Sequence, residues 1–376
     1  METNCCRFFG YQYSAFMAHA IRTVSSFIGA QPEEVVFVDN ATTGVVTVIQ
    51  SLKLKPTDSL LYLSIGYGPI ANYIKAMDVE RIEVNCPIPL NMDEIVKNTL
   101  AAVKPNTRLA ILDHITSATG AILPIERMIR KLQEKGLFVM VDGAHAVGQI
   151  PLNLTALGAD AYVSNCHKWL YASKGCAFLW VHQKHSQSIH PLVRSSGTGQ
   201  GLTAEFGWSG TRDYTPFLSV MTAIELYNFW GADRIRSYNH NWAIEAAEHL
   251  MSVWGAKTVF ADDPENPDAW KSHVGAMVTL EIPTPQTAAT AQFAMQLKRA
   301  MLLDKGVDCT CYPIGNKLYC RVSGQIYLDK EDYVMFGEDL PRVLDTLLLN
   351  KSSDSGDPIA QISSGLHQVH LPDESH

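Results

Sequence analysis

The chain has 376 residues, of which 47% are hydrophobic and 18% are charged, so it can bury a large core and is long enough for two domains. The 38 Asp and Glu residues outnumber the 30 Lys and Arg residues and give a net charge of −8. This charge argues against nucleic acid or an anionic membrane as the main partner.

Neither a membrane span nor a secretion signal is predicted. No apolar run approaches the roughly 20 residues needed to cross a bilayer, and the first residues lack the basic and then apolar pattern of a signal peptide. We therefore expect a cytoplasmic protein whose eight cysteines are reduced thiols. Cys309, Cys311 and Cys320 lack the paired spacing of a zinc site, so we expect no metal.

The first half of the chain alternates short apolar runs with stretches of helical periodicity, which begin with a predicted helix over 15–28. The predicted strands are 35–38, 59–64, 81–84, 109–112, 137–141, 159–163 and 176–181. The predicted helices between them are 41–54, 67–77, 93–103 and 125–135. Such regular alternation is typical of an α/β fold with a largely parallel sheet covered by helices on both faces.

The pattern changes after residue 181. Residues 191–217 are rich in Gly, Ser and Thr, but 197–201 lack the Lys-Ser/Thr of a nucleotide-binding P-loop. Helices are then predicted over 218–231, 235–253, 287–305 and 332–349, and strands over 274–282 and 318–322. We expect an N-terminal helical region (1–28), a large domain (29–235), a smaller α+β domain (236–349) and a disordered polar tail (350–376).

Two residues suggest the chemistry. Asp142 and Lys168 each follow a predicted strand, and ligands of α/β sheets bind at the carboxyl ends of strands. Either residue alone is more often a cap or a surface charge. Together they suggest pyridoxal phosphate (PLP), which needs a lysine for its Schiff base and a carboxylate to keep the pyridine nitrogen protonated. The sequence therefore predicts a PLP enzyme.

Five segments of the sequence resemble the class V aminotransferase family of PLP enzymes. They are DGAH at 142–145, NCHKWL at 165–170, DHITS at 113–117, WSGTRD at 208–213 and CRVSGQIY at 320–327. Within that family the likeness is to the isopenicillin N epimerase-like and cysteine desulfhydrase-like branch, although Leu328 stands where the branch usually has Asn. The resemblance implies a PLP-dependent transferase fold (aspartate aminotransferase-like, fold type I) and a homodimer with shared active sites.

The resemblance also implies roles for the matched residues. Lys168 would bind PLP and act as the base, Asp142 would stabilise the pyridinium, and His145 would donate to the phenolic oxygen. Arg321 would bind the substrate carboxylate through its forked guanidinium. The further cofactor-binding residues would be Thr42, Thr43, Tyr67, Ser117, Asn165, His167 and, from the neighbouring subunit, Thr211.

The residues themselves leave other interpretations open. Small hydroxyl side chains at a helix start can be caps as well as phosphate ligands. The tyrosine and the histidines can be packed side chains, and the arginine can belong to an ion pair.

Three reactions could follow removal of the substrate Cα proton. Loss of a β-substituent gives a C–S lyase, reprotonation on the other face gives an epimerase, and transfer of the amino group gives an aminotransferase. Persulfide-forming desulfurases resemble this family but carry a nucleophilic cysteine on a loop before the carboxylate-binding arginine. Here Cys309 and Cys311 come too early and lie on an apparent strand. We expect a lyase acting on cysteine or a cysteine conjugate first, and an epimerase second.

An alternative of another class concerns the start of the chain. The resemblance covers about residues 15–349, and the NHGxxG-like turn that the family carries near its N-terminus has no counterpart here. A shortened chain of this kind could serve as a non-catalytic dimerisation partner.

Overall fold

A seven-stranded sheet forms the centre of the larger domain in the computed structural model, which describes residues 2–353. Its spatial order is β1-β7-β6-β5-β4-β2-β3. The strands are β1 (Val35–Val38), β2 (Ser59–Leu63), β3 (Glu80–Val84), β4 (Thr107–Asp113), β5 (Phe138–Asp142), β6 (Ala161–Asn165) and β7 (Ala177–Val181). Each of the predicted strands in this half of the chain is present.

The expected mostly parallel α/β sheet is confirmed, with one reversed strand. β7 runs antiparallel to both of its neighbours, β1 and β6, whereas the other adjacent pairs are parallel. Only residues 166–176 separate β6 from β7. A crossover to a parallel strand needs a dozen or more residues, usually including a helix, so the chain turns back instead.

The sheet separates two hydrophobic cores. Val35 and Phe37 of β1 contribute to one core, and Val36 and Val38 contribute to the other, because successive strand side chains point to opposite faces. Strands buried on both faces explain the unbroken apolar runs in the sequence. The helices of this half are α1 (Cys5–Arg7), α2 (Tyr13–Phe27), α3 (Ala41–Leu52), α4 (Gly68–Lys75), α5 (Met92–Ala101), α6 (Ile125–Glu134), α7 (Leu154–Leu157) and α8 (Cys166–Trp169).

A smaller α+β domain follows, as expected. Its three-stranded antiparallel sheet has the order β8-β10-β9, with β8 (Met277–Ile282), β9 (Thr310–Ile314) and β10 (Lys317–Ser323). The remaining helices are α9 (Leu202–Gly207), α10 (Thr215–Trp230), α11 (Ala232–Trp254), α12 (Ala291–Lys305) and α13 (Lys330–Ser353). Helix α11 runs continuously through the predicted domain boundary at residues 235–236.

The two ends of the chain differ in part from expectation. Helix α13 continues past its predicted end at Leu349 to Ser353, and the rest of the predicted tail, 354–376, lies outside the described residues. Helix α2 begins at Tyr13, before its predicted start at residue 15, and is preceded by short helical turns within the predicted helical region 1–28. None of the helices between residues 2 and 353 is long and apolar enough to cross a membrane.

Candidate active site

A cavity of about 490 Å³ opens at the carboxyl edge of the large sheet, where β1, β2, β4, β5 and β6 all end. Every site residue predicted from the sequence lines it except Thr211 and Arg321. The lining consists of Asn40, Ala41, Thr42, Thr43, Tyr67, Asp113, Ile115, Ser117, Asp142, Ala144, His145, Asn165, His167 and Lys168.

Lys168 lies on the short helix α8, directly after β6. Burial lowers the pKa of its amine to about 8; Asp142 opposes this shift, while Arg321 and Lys174 add to it. Its Nζ lies 3.0 Å from Nε2 of His145. A lysine with a pKa near neutrality can attack a carbonyl carbon and can take up a proton, because a useful fraction of the amine is uncharged.

Asp142 is the last residue of β5 and is almost fully buried. One carboxylate oxygen, Oδ1, accepts the N–H of Ala144 at 2.9 Å, and no Lys, Arg or His within residues 2–353 forms an ion pair with this carboxylate. Burial therefore raises the pKa of Asp142. A ligand that brings a positive charge to this carboxylate would compensate for its burial.

Asp113 is a second buried carboxyl group in the cavity, which sequence reasoning missed. It ends β4 and pairs in register with Asp142 on the adjacent strand. Burial and then the charge of Asp142 raise the pKa of Asp113 well above its usual value. The signal was available, because Asp113 ends an apolar run in the same way as Asp142.

The start of helix α3 forms another part of the cavity lining. Asn40 caps this helix, and its Oδ1 accepts the N–H of Thr43 at 2.8 Å. Asn165 Oδ1 accepts the N–H of Ala41 at 2.9 Å, which ties the end of β6 to the same turn. The N–H of Thr42 has no acceptor among the described residues. A helix start with an unpaired N–H and a positive dipole end suits a phosphate group.

His167 and Tyr67 complete the lining. Nδ1 of His167 accepts the N–H of Cys176 at 3.1 Å, so in the neutral ring Nε2 carries the proton and can donate to a ligand. Burial lowers the pKa of His167, which favours this neutral form. Tyr67 stands just before helix α4 and is 39% exposed, so a ligand ring stacked on it would cover surface that is now accessible to solvent.

Arg321 lies on β10, next to the cavity rather than in its lining. Its Nη1 donates to the carbonyl oxygen of Ser117, which does line the cavity. Its Nε is buried without a partner. An unsatisfied guanidinium nitrogen is costly to bury and fits the expected role of binding a carboxylate.

Thr211 is exposed on the loop before helix α10 and does not line the cavity of its own chain. The neighbouring Arg212 forms an ion pair with Asp39, directly before the α3 turn. Trp208 of the same loop packs against Tyr13 with ring centroids 5.6 Å apart. Thr211 therefore does not contribute to the cavity of its own chain, and its expected role requires a second chain.

The donors and acceptors of this cavity fit PLP. Its lining combines a buried carboxylate that lacks a cation, a helix start that lacks an anion and a lysine with a lowered pKa. Asp142 would hold the pyridine nitrogen, the α3 turn with His167 would hold the phosphate, and Lys168 would bind the aldehyde carbon.

A family model described as "Aminotransferase class-V" matches residues 7–334 of the chain. The chain belongs to this family. The match starts nearer the N-terminus than the expected residue 15.

Relatives and solved structures agree with this assignment. An L-cysteine desulfhydrase of Arabidopsis thaliana is 30% identical over 353 residues, covering 84% of this chain and 76% of the relative. An isopenicillin N epimerase of Amycolatopsis lactamdurans is 29% identical over 299 residues, covering 73% of each chain. The structure of the cystine C–S lyase C-DES with its product cysteine persulfide superposes with a TM-score of 0.72 at 18% identity, covering 89% of this chain and 88% of that chain. The structural likeness supports the predicted fold.

Proposed function

We propose that the protein is a PLP-dependent C–S lyase that removes the β-sulfur substituent of cysteine or a cysteine conjugate. The observation that carries the proposal is that one cavity holds both Lys168, whose pKa burial lowers to about 8, and the buried carboxylate of Asp142, which has no ion-pair partner among the described residues. The cysteine desulfhydrase among the relatives supports the choice of reaction.

The chain supplies position, charge and proton transfer to this reaction. When bound, PLP supplies an electron sink for negative charge that develops at the substrate Cα. Asp142 would hold the pyridine nitrogen and stabilise its positive charge. Arg321 would hold the substrate carboxylate, a role that its buried and unpaired Nε supports. Lys168 Nζ takes the proton from Cα, which its uncharged form can do.

The surroundings of Cys309 and Cys311 support a lyase over a persulfide-delivering desulfurase. Cys309 is buried directly before β9, and Cys311 lies within it. Only Gly315 and Asn316 separate β9 from β10, which carries Arg321. A connection this short leaves no loop on which a nucleophilic cysteine could swing between a substrate and a partner protein.

The first test of this function is the absorption spectrum of the purified protein with added PLP. We expect a visible band that borohydride bleaches, and we expect Lys168→Ala to lack it. Lys174→Ala is the matched control, because this nearby lysine donates to the carbonyl oxygen of His167 and does not line the cavity. If wild type and both variants all lack the band, the non-catalytic alternative leads.

The second test identifies the reaction. Release of sulfide and pyruvate from L-cysteine supports the lyase. Epimerisation is the second candidate, favoured by the likeness to isopenicillin N epimerase. Solvent deuterium appearing at Cα without pyruvate would replace the lyase with the epimerase.

We further propose a homodimer in which Thr211 of each chain reaches the cofactor phosphate in the other. Support comes from the exposure of Thr211 and its absence from the cavity lining of its own chain. Mixing inactive Lys168→Ala with weakened Thr211→Val should restore activity, because one site of the mixed dimer would then carry both native residues. No recovery in a verified mixed dimer would refute shared sites. A cytosolic location stays a prediction from the sequence.

A further inference from the structure

The ring of His145 lies between an indole N–H and a lysine amine. Nδ1 of His145 accepts the indole N–H of Trp169 at 3.2 Å, and Nε2 lies 3.0 Å from Nζ of Lys168. Burial, with Lys168 and Arg321, holds the pKa of His145 well below its usual value, so the ring is neutral. An indole nitrogen can only donate, and a neutral imidazole carries one proton. That proton must therefore lie on Nε2.

The position of this proton on His145 affects the protonation of the Lys168 amine next to it. An Nε2–H group can donate to the lone pair of an uncharged lysine, but an ammonium group has only donors and no lone pair. We propose that Trp169 is a positioning residue that fixes the Nε2–H tautomer of His145 and thereby favours the uncharged form of Lys168. Trp169 itself lies outside the cavity lining and acts through His145.

Other charges near Lys168 act at the same time. Asp142 favours the ammonium form, whereas Arg321 and Lys174 disfavour it. Asp113 lies beside Asp142 on the adjacent strand, and burial together with the charge of Asp142 raises its pKa. These groups would be unchanged by a substitution at Trp169, so the contribution of the tautomer can be separated from theirs.

A purely structural role is the competing explanation, because Trp169 is only 6% exposed and packs in the core. Phenylalanine keeps an aromatic ring at this position but has no N–H. In Trp169→Phe, the His145 proton is free to move to Nδ1, and Nε2 can then accept a hydrogen bond from the ammonium group of Lys168. The hydrogen-bonding role therefore predicts a higher pKa for Lys168 in this variant, which a packing role does not.

The test uses cofactor-free protein with ¹⁵N-labelled histidine and lysine. Histidine nitrogen shifts distinguish the protonated from the bare ring nitrogen, and His145→Gln and Lys168→Arg assign the two signals. In wild type we expect a proton on Nε2 of His145. In Trp169→Phe we expect a mixture of tautomers and an increase of about one unit in the pKa of Lys168, the size expected for one hydrogen bond to a charged group.

Trp180→Phe is the matched control. Trp180 is also buried, and its indole N–H donates to Glu34 at 3.0 Å, away from the cavity. This variant should leave both signals unchanged.

Two results would overturn the inference. One is a proton on Nδ1 of His145 in wild type, which needs no variant to fold. The other is a folded Trp169→Phe whose tautomer and Lys168 pKa match wild type. The inference rests on the proposed role of Lys168, but either failure would leave the PLP band and its loss in Lys168→Ala intact. The two proposals therefore fail separately.

Discussion

Asp142→Asn separates what the carboxylate does for the cofactor from what it does for the fold. The amide keeps the size of the side chain and an oxygen that can accept the N–H of Ala144. It loses the charge that would stabilise a pyridinium. Hydrogen bonds to charged groups contribute roughly 1.5–3 kcal/mol, which corresponds to PLP binding weaker by about 10- to 100-fold. Titration of the cofactor-free variant with PLP, followed by absorbance or fluorescence, measures this loss.

The same variant should be at least as stable as wild type without cofactor. The folded-state pKa of Asp142 is raised by burial, so its contribution to stability is full below the unfolded value of about 3.9 and is lost as pH rises through the folded value. Asparagine carries no charge at any pH. The melting temperature of the variant relative to wild type should therefore increase from about pH 4 to about pH 8.

Asp160→Asn is the control, and we expect it to destabilise the cofactor-free protein. Asp160 is as buried as Asp142, but it accepts hydrogen bonds from His185 at 2.8 Å and from Val139 N–H at 2.8 Å, and it pairs with Lys184. Although burial opposes the shift, these contacts lower the pKa of Asp160. Lys184 is half exposed, so the loss comes mainly from the hydrogen bonds to the buried carboxylate, and each bond to a charged group contributes roughly 1.5–3 kcal/mol. The reasoning is refuted if Asp142→Asn destabilises the cofactor-free protein as much as Asp160→Asn does.

Three further results are expected. The rate at which cofactor-free protein takes up PLP should rise with pH and level off above about 8, where Lys168 is uncharged; a flat stopped-flow profile would contradict this. Asn165→Ala leaves the buried N–H of Ala41 without its acceptor, so urea unfolding should show a loss of roughly 1–3 kcal/mol. Arg321→Lys keeps the charge but removes the buried Nε, so KM for cysteine should rise about tenfold with a smaller change in kcat, as one lost charge-assisted bond predicts.

Much of the α/β core follows from the sequence because strands buried on both faces leave unbroken apolar runs between helical stretches. The carboxyl ends of those strands then place Asp142 and Lys168 in one cavity without any knowledge of long-range contacts. The reversal of β7 could also have been deduced, since the short connection after β6 excludes a parallel crossover.

Other features depend on contacts between distant parts of the chain. The helical turns before Tyr13 pack on Trp208 and Tyr214, and nothing in local periodicity indicates these pairs. The link from Asn165 to the α3 turn joins residues 124 positions apart. The expected contact of Asn165 with the cofactor stays a prediction, and the geometry adds a second role, because its Oδ1 accepts the N–H of Ala41 at the start of α3.

The reversal at β7 also determines how the turn that carries Lys168 can move. The turn is anchored on one side by β6 and on the other by β7, and His167 N–H donates to Cys176 O at 3.2 Å across its base. Because core strands open rarely, we expect the amide hydrogens of this turn to exchange slowly. We therefore expect the backbone around Lys168 to stay ordered when its amine changes partners, so that rotation about side-chain bonds provides the movement without reordering of a loop.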